Sequence, residues 1–364
     1  MIDVVTGGGG FLGWHVRALR LARGLGAHRP AVLGEACDPA RLAAVVDGAD
    51  RVLHLAGVNR GPADAVHDGN VLFARQLADA LLRCDSPPAT VVFADSVRHG
   101  DGTPYGEGKR RAAELLHVAA DRVGSTLVDL HLPNLFGEHG RPDHNSVVAT
   151  FCDRLARGEE PRVEVDRELD LLPARVAAEV VLGERPASTL VEGSTRRRVS
   201  EVLGELVELH RAWSGPAVPA LDGGWRRDLG NALRASWFRL RPVTELTGRA
   251  DARGTFTELL RSPGGGGQTS FSTTAPGVTR GQHFHRRKAE RFCVVGGEAL
   301  IRLRRVLTGE LVEIAVSGDR PVAVDMPTLW AHSITAVGDR PVQTVFWVDE
   351  PFDPTDPDTF QEDV

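Results

Sequence analysis

Ile2-Asp3-Val4-Val5-Thr6-Gly7-Gly8-Gly9-Gly10-Phe11-Leu12-Gly13-Trp14 opens the chain, and its reading decides the fold of the N-terminal part. A short β-branched run passes directly into four glycines, and a helical pattern begins around Trp14. Gly7, Gly10 and Gly13 give Gly-x-x-Gly-x-x-Gly. Without side chains, such a loop lets backbone N–H groups and a helix N-terminus approach a pyrophosphate. A glycine run also serves as a plain tight turn, but a strand before it and a helix after it favour dinucleotide binding.

Working outward, Ala31 to Gly34, Arg51 to Gly57, Thr90 to Ser96 and Thr126 to Leu132 read as further buried strands, being short, Val/Leu-rich and bounded by Gly, Asp or Pro. Amphipathic stretches separate them, including Val71 to Leu82 behind a cap candidate, Asn70, and Arg110 to Val123. The βαβα order predicts an α/β fold with a Rossmann-type doubly wound parallel sheet. In that fold Leu55-Ala56-Gly57, at the end of the third strand, lies beside the cofactor, unless it is only a strand-terminating turn. Glu35, just past the second strand, stands where such folds read the adenosine ribose. A carboxylate there accepts from a 2′-OH and repels a 2′-phosphate, which favours NADH over NADPH; its alternative is a solvated loop acid.

Residues 146 to 240 are more helical, with Val202 to Trp213 at helical spacing, and suit a substrate-covering lobe. After Val243 short strands alternate with Gly, Pro and Asp, so residues 1–244 read as one domain and 245–364 as a separate all-β barrel or jelly roll. The run Ser262-Pro-Gly-Gly-Gly-Gly-Gln268 reads as a hairpin loop inside that barrel, and no internal repeat is found.

The 364 residues are 42% hydrophobic and 25% charged, enough for a real core, and the net charge of -6 offers no footprint for nucleic acid. The short basic run Arg196 to Arg198 reads as a solvated helix face. The four cysteines are far apart, which encodes neither a disulfide framework nor a zinc ribbon and suits a reducing cytoplasm. The strand-like N-terminus and the absence of a long apolar run argue against secretion and membrane spanning.

Of 43 basic residues only Lys109 and Lys288 are lysines, and Tyr105 is the single tyrosine. Tyr105 and Lys109 stand at i and i+4 at the start of a predicted helix, just after the strand that ends at Ser96, so both can face one cleft. A nearby ammonium is expected to lower the tyrosine pKa and make it a proton donor to a ketone receiving hydride, with Ser96 holding the carbonyl oxygen. With one tyrosine and two lysines, chance gives a Tyr-x-x-x-Lys match with a probability of about 2/364.

His283 and His285, at i and i+2, face the same way on a strand, with Glu290 a turn away and His332 on a later strand. Two or three imidazoles plus a carboxylate suit Zn²⁺, Fe²⁺, Mn²⁺ or Ni²⁺, and ligand type alone does not choose among them.

Thr6 to Gly13, Leu55 to Gly57, Ser96, Tyr105-x-x-x-Lys109 and Pro133-Asn134-Leu135-Phe136-Gly137 together resemble the extended short-chain dehydrogenase/reductases, which act on nucleotide sugars. Gly277-x5-His283-x-His285-x4-Glu290-x6-Gly297 and Pro327 to His332 resemble the two cupin motifs, with Leu329 in place of the usual glycine. Their order, with Leu55 to Arg60, Asn145 to Cys152, Asp251 to Glu258 and Phe352 to Thr359, resembles the bifunctional capsular-polysaccharide epimerase/reductases of the CapF type. That resemblance implies C3 epimerisation of a UDP-2-acetamido-2,6-dideoxy-4-hexulose in a zinc cupin domain, then NADPH-dependent reduction of the C4 ketone in the N-terminal domain. It further implies that Phe11, Leu12 and Pro133 join the cofactor site, that Asn59, Asn134, Asn145 and Ser146 bind the UDP-sugar, and that the chain forms a homodimer.

Cupin-type epimerases often use a tyrosine as acid or base, and the barrel here has none; Lys288 is the candidate, with His285 second if it is not a ligand and a solvated loop cation as the bland reading of Lys288. The chain departs from the resemblance at Leu171 to Arg175, at Ala94-Asp95-Ser96 and at Glu35, where an NADPH user offers Arg. Two other classes fit less well: a non-catalytic sensor of NAD and sugar nucleotide, and an epimerase with a purely structural Rossmann domain. Retention of Tyr105 and Lys109 in so Tyr- and Lys-poor a chain argues against both.

Overall fold

The computed structural model describes residues 1–213, 215–221, 224–252, 254–262 and 266–364, and the chain folds as two compact units. Met1–Leu135 with Leu169–Arg196 form the first, and Phe136–Glu168 with Arg197–Val364 form the second. The chain begins β1 Asp3–Thr6, α1 Phe11–Ala22, β2 Arg29–Ala31, α2 Pro39–Val46, β3 Arg51–His54, α3 Ala63–Leu81, β4 Thr90–Ser96, α4 Pro104–Val123 and β5 Thr126–Leu132. It continues β6 Asn134–Phe136, α5 Val147–Ala156, β7 Glu168–Pro173, α6 Ala174–Val181, α7 Thr189–Glu192, β8 Thr195–Arg198, α8 Val199–Ala212 and α9 Gly224–Phe238.

Strands β1 to β5 pair in parallel in the order β2-β1-β3-β4-β5. Successive side chains go to opposite faces. Val4, Val52, Val91 and Phe93 pack with α2, α3 and α4, while Val5, Leu53, Val92 and Ala94 pack with α1 and α6. Burial on both faces is why β1, β3 and β4 read as continuous apolar runs rather than alternating ones. Strand order reverses beside β1, and the crevice outside the carboxyl ends of β1 and β3 is where a doubly wound sheet binds its ligand. Asp3, fully buried, is held by Arg20 and Arg51.

Three local readings change. The second strand is Arg29–Ala31, not Ala31 to Gly34: its partner β1 ends at the pair Thr6↔Ala31, where the chain turns into the glycine loop, and Pro30 is tolerated because β2 is an edge. Asn70 is no cap but lies inside α3, its side chain donating to the carbonyls of Val58 (2.6 Å) and Val66 (2.7 Å). Arg196 to Arg198 lie in β8 rather than on a helix face, with Arg196 paired to Asp170. The start of α4 follows local rules: Thr103 accepts from the N–H of Gly106 and Pro104 takes the first turn.

In the second unit come β9 Val243–Glu245, β10 Gly248–Asp251, β11 Gly254–Thr257, β12 Gln268–Thr274, β13 Thr279–Phe284, β14 Glu290–Gly296, β15 Glu298–Arg305, β16 Leu311–Ser317, β17 Val322–Met326, β18 Trp330–Ala336, β19 Val342–Val348 and β20 Phe360–Gln361. Two antiparallel five-stranded sheets result, β12-β19-β14-β17-β9 and β16-β15-β18-β13-β20, whose inner residues (Val294, Val324 and Val342 against Ile301, Leu303 and Ile334) share one core. The tetraglycine reading falls largely on residues 263–265, outside the described residues. Helix α9 backs the first of these sheets: Arg234 donates to the carbonyls of Met326 (2.6 Å) and Glu290 (3.2 Å), and Asn231 to that of Arg287 (2.8 Å). The change of sequence texture at 244/245 therefore runs through the second unit. Among the described residues no helix is long and apolar enough to cross a membrane.

Candidate functional site

At the switch point of the parallel sheet two loops meet at backbone distance. Gly7 has φ +67, and a Cβ there would lie 2.5 Å from the Ala56 nitrogen; a Cβ on Gly13 would lie 2.2 Å from the Gly7 oxygen. Both positions therefore require glycine, and α1 rises from Gly10 with no side chain capping its first N–H groups. Those free donors beside a side-chain-free loop fit a pyrophosphate. Thr6 ties the loops: its hydroxyl accepts from the Ala56 N–H (3.2 Å) and meets His54 Nδ1 at 2.8 Å. Burial, aided by Lys109, lowers the His54 pKa to about 3, so this imidazole stays neutral. Leu12 packs into the core beneath, and Phe11 lies edge-on to His15 at 5.1 Å. Gly34 is fixed by Gln76 (2.7 and 2.9 Å), and Glu35 is exposed in the turn that follows.

Ser96, Tyr105 and Lys109 converge on the same edge. The buried Ser96 side chain lies near enough to the Tyr105 phenol to pull its pKa downward. Lys109, 4% exposed, donates to the Ala94 carbonyl at 2.6 Å and lies 4.8 Å above the Phe93 ring. A Cβ on Gly57 would be 3.4 Å from Lys109 Nζ and 3.1 Å from Asn70 Oδ1, so the ammonium touches the loop after β3 that Asn70 holds in place. The expected lowering of the Tyr105 pKa is not what this arrangement gives. Burial, only partly offset by Ser96, raises it, and Lys109 Nζ is spent on Ala94 some 6.0 Å from the ring centroid. Burial also lowers Lys109 to about 8 despite Asp95 and Asp129.

In the second unit His283, His285, Glu290 and His332 come together, all donor atoms within 4.8 Å of one another. The pairing His283↔His332 places two of them across β13 and β18, and a bulge between Gly281 and His283 aims the first inward. His285 lies just beyond β13, and Glu290 opens β14. Nε2 of His285 and of His332 each lie 3.2 Å from Glu290 Oε2, yet none of these three buried atoms makes a hydrogen bond. Buried donor atoms that face one another without a hydrogen bond are the arrangement a metal ligand set has. The spacing agrees, since a tetrahedron with ~2.05 Å bonds has edges of about 3.3 Å. Burial and its two neighbours lower the His283 pKa to about 3. Burial pulls His285 down, but Glu290 and Asp358 together outweigh it and raise the pKa; Glu290, against its own burial, is held well below its usual range by His285 and His332.

A residue with no assigned role in the sequence reading supports this cluster. The Asp358 carbonyl receives His285 Nδ1–H at 2.6 Å, which fixes the tautomer that leaves Nε2 free. Its carboxylate accepts the N–H groups of Arg286 (3.2 Å), Arg287 (2.9 Å) and Lys288 (2.9 Å). Lys288 is no solvated loop cation: it is 4% exposed, 3.7 Å from Glu350 Oε1 and 5.7 Å from the Phe352 ring centroid.

The remaining sequence candidates are dispersed. Pro133 is buried after β5, exposed Asn134 donates to the Asp170 carbonyl (3.3 Å), and Asn59 is exposed after β3. Asn145 (φ 55) and Ser146 belong to the second unit, where the Ser146 hydroxyl caps α5 through Ala149 N (3.3 Å).

Residues 4–172 match the NAD dependent epimerase/dehydratase family, and residues 249–360 match the polysaccharide biosynthesis C-terminal domain. The UDP-2-acetamido-2,6-beta-L-arabino-hexul-4-ose reductase of Pseudomonas aeruginosa is 31% identical over 373 residues, covering 98% of this chain and 97% of that protein. The capsular polysaccharide assembling protein CapF of Staphylococcus aureus superposes with a TM-score of 0.59 at 31% identity, with 100% of each chain covered. UDP-glucose 4-epimerase of Thermotoga maritima, at 16% identity and a TM-score of 0.52 over 66% of this chain and 99% of that one, shares the fold alone.

Proposed function

The chain belongs to the CapF-type epimerase/reductase family, and from that premise we propose that it is a bifunctional nucleotide-sugar enzyme of polysaccharide biosynthesis. Its substrate is a UDP-4-keto-6-deoxy-(N-acetyl)hexosamine, epimerised at C3 by the cupin-type second unit and reduced at C4 beside the glycine loop. The observation that carries the reading is that one chain holds both a Ser96–Tyr105 hydroxyl pair next to a dinucleotide cradle and a buried three-His, one-Glu set with orphaned lone pairs.

When bound, a reduced nicotinamide supplies hydride and a divalent ion, most simply Zn²⁺, supplies electrostatic stabilisation of an enolate oxygen. The residues supply the rest. Gly7, Gly10 and Gly13 admit the pyrophosphate to the start of α1. Ser96 Oγ hydrogen-bonds the C4 oxygen, and the Tyr105 hydroxyl gives it a proton as C4 receives hydride. Lys109, already against Gly57, supplies the positive charge at this edge of the sheet, 6.0 Å from the Tyr105 ring centroid.

In the second unit His283, His285, Glu290 and His332 hold the ion. The C4 carbonyl acidifies the C3 proton, and Lys288 is the acid/base that moves a proton at C3, its buried position giving it a defined direction.

The test is to incubate the protein in heavy water with the 4-keto sugar nucleotide and each reduced nicotinamide. Cofactor oxidation together with deuterium at C3 is expected; neither signal with an active related substrate set would reject the assignment.

A further inference from the structure

A second group of donor side chains, beside Ser96 and Lys109 but with no role in the chemistry above, gathers at the carboxyl ends of β4 and β5: Asp95, His99, Asp129 and His131. Strand pairing brings them together. Asp95 stands opposite His131 and Phe93 opposite Asp129, so the i, i+2 spacing puts Asp95, Asp129 and His131 on one face of the sheet. His99 returns to that face from the turn after β4, where its N–H bonds the Ser96 carbonyl at 2.9 Å.

His99 Nδ1 lies 2.5 Å from Asp95 Oδ2. His131 Nε2 lies 3.7 Å from the same oxygen and 3.6 Å from Asp129 Oδ2, and the two rings stack at 5.0 Å. These spans bracket the edge of about 3.3 Å expected between ligands in a tetrahedral site, and all four donor atoms lie within 4.8 Å of one another.

Charge argues in the same direction. The Asp95 side chain is fully buried, and its other oxygen accepts only the Ser96 N–H, at 2.8 Å, among the hydrogen bonds that position it. Asp129 is a second carboxylate turned toward the same imidazole, and the one cation that both carboxylates attract, the buried Lys109 ammonium, sets a single positive charge against two negative ones. A dication among two imidazole nitrogens and two carboxylate oxygens answers both charges, and the half-exposed His131 leaves a path from solvent. That donor set suits a borderline d-block ion rather than Ca²⁺ or Mg²⁺, which prefer oxygen alone.

We infer that Asp95, His99, Asp129 and His131 form a second divalent transition-metal site on this chain, taking an ion of the Zn²⁺ or Co²⁺ class next to Ser96. The inference does not depend on the activity proposed above.

The test uses the full chain, stripped with chelator and titrated with Zn²⁺ by calorimetry and with Co²⁺ by visible absorption. Wild type is expected to take two equivalents. His283→Ala/His332→Ala, which cripples the other cluster, retains one equivalent, and adding His99→Ala/His131→Ala removes it. Asp129→Asn, which keeps the side-chain shape, weakens this remaining equivalent at least tenfold, with circular dichroism confirming the fold. Retention of the second equivalent, at unchanged affinity, after His99→Ala/His131→Ala or Asp129→Asn would overturn the site, as would a single equivalent in wild type that disappears in His283→Ala/His332→Ala.

Discussion

Leu329 donates its backbone N–H to the His285 carbonyl at 2.7 Å from a left-handed conformation, φ +64. In the motif that residues 327–332 resemble this position ordinarily is glycine, and here a leucine takes up the left-handed conformation that favours glycine. The conformation costs about 1–2 kcal/mol, but the side chain is 1% exposed, and deleting a buried leucine costs about 2–5 kcal/mol. Packing wins. Leu329→Gly is therefore expected to lose on the order of 1–3 kcal/mol in urea unfolding while keeping its metal; a more stable variant would show that strain, not packing, dominates there.

How much of this was legible depends on how local each cause is. Thr90 to Ser96 is a strand to the residue because burial on both faces writes itself as an apolar run, and Thr126 to Leu132, an edge strand with Asp129 and His131 exposed, is legible from its alternating Leu130 and Leu132 and its flanking turns. The second strand was misplaced because its end is set by its partner's turn at Gly7, which no property of residues 29–34 records. His283, His285, Glu290 and His332 were readable from spacing; Asp358 was not, since it meets His285 from 73 residues away. Asn70 looked like a cap because its partners in the loop at Val58 are invisible to helical periodicity. The sign of the Tyr105 shift failed for a similar reason, since burial is a tertiary property.

Lys109 gives a pH prediction. Its pKa falls from 10.5 to about 8 on folding, chiefly through burial. Below pH 8 the ammonium is charged in both states and the folded state carries the whole burial penalty. Between 8 and 10.5 the unfolded chain binds more protons, so this penalty fades as pH rises and is gone above 10.5. Lys109→Met is expected to gain on the order of 1–3 kcal/mol at pH 7, shrinking toward pH 10, and to lose ketone reduction. Paired denaturation curves of the two proteins across that range check it; a gain that grows with pH contradicts the sign.

Asp358 should act on the metal without touching it. Asp358→Ala removes the carboxylate that gathers three N–H groups of the His285–Lys288 turn, and it is expected to weaken zinc binding about 10–100-fold. Competition with a chromophoric chelator reads this directly. Asp358→Asn, with one acceptor oxygen left, should fall between; equal affinity in all three proteins would make the turn self-supporting.

Glu35, exposed just past Gly34, is expected to disfavour a 2′-phosphate by on the order of 1–3 kcal/mol, so NADH should bind better than NADPH. Glu35→Ala should narrow that gap in a fluorescence titration. A clear NADPH preference that the substitution leaves alone would place the ribose elsewhere.

The two chemistries should come apart by mutation, because their residues lie in different compact units. Reduction needs the phenolic proton of Tyr105 beside Ser96, whereas exchange at C3 needs only an ion held by the histidine cluster and an acid/base. Tyr105→Phe is expected to lower cofactor oxidation by at least about a hundredfold while C3 deuterium exchange continues near the wild-type rate. His283→Ala should do the reverse, stopping exchange but still reducing a ketone presented with the C3 configuration already inverted. Both rates can be followed in one sample, by absorbance and by NMR. Loss of exchange in a well-folded Tyr105→Phe protein would mean that the sites depend on one another. Undiminished reduction in that variant would cut deeper, since no other tyrosine in the chain could have supplied the proton.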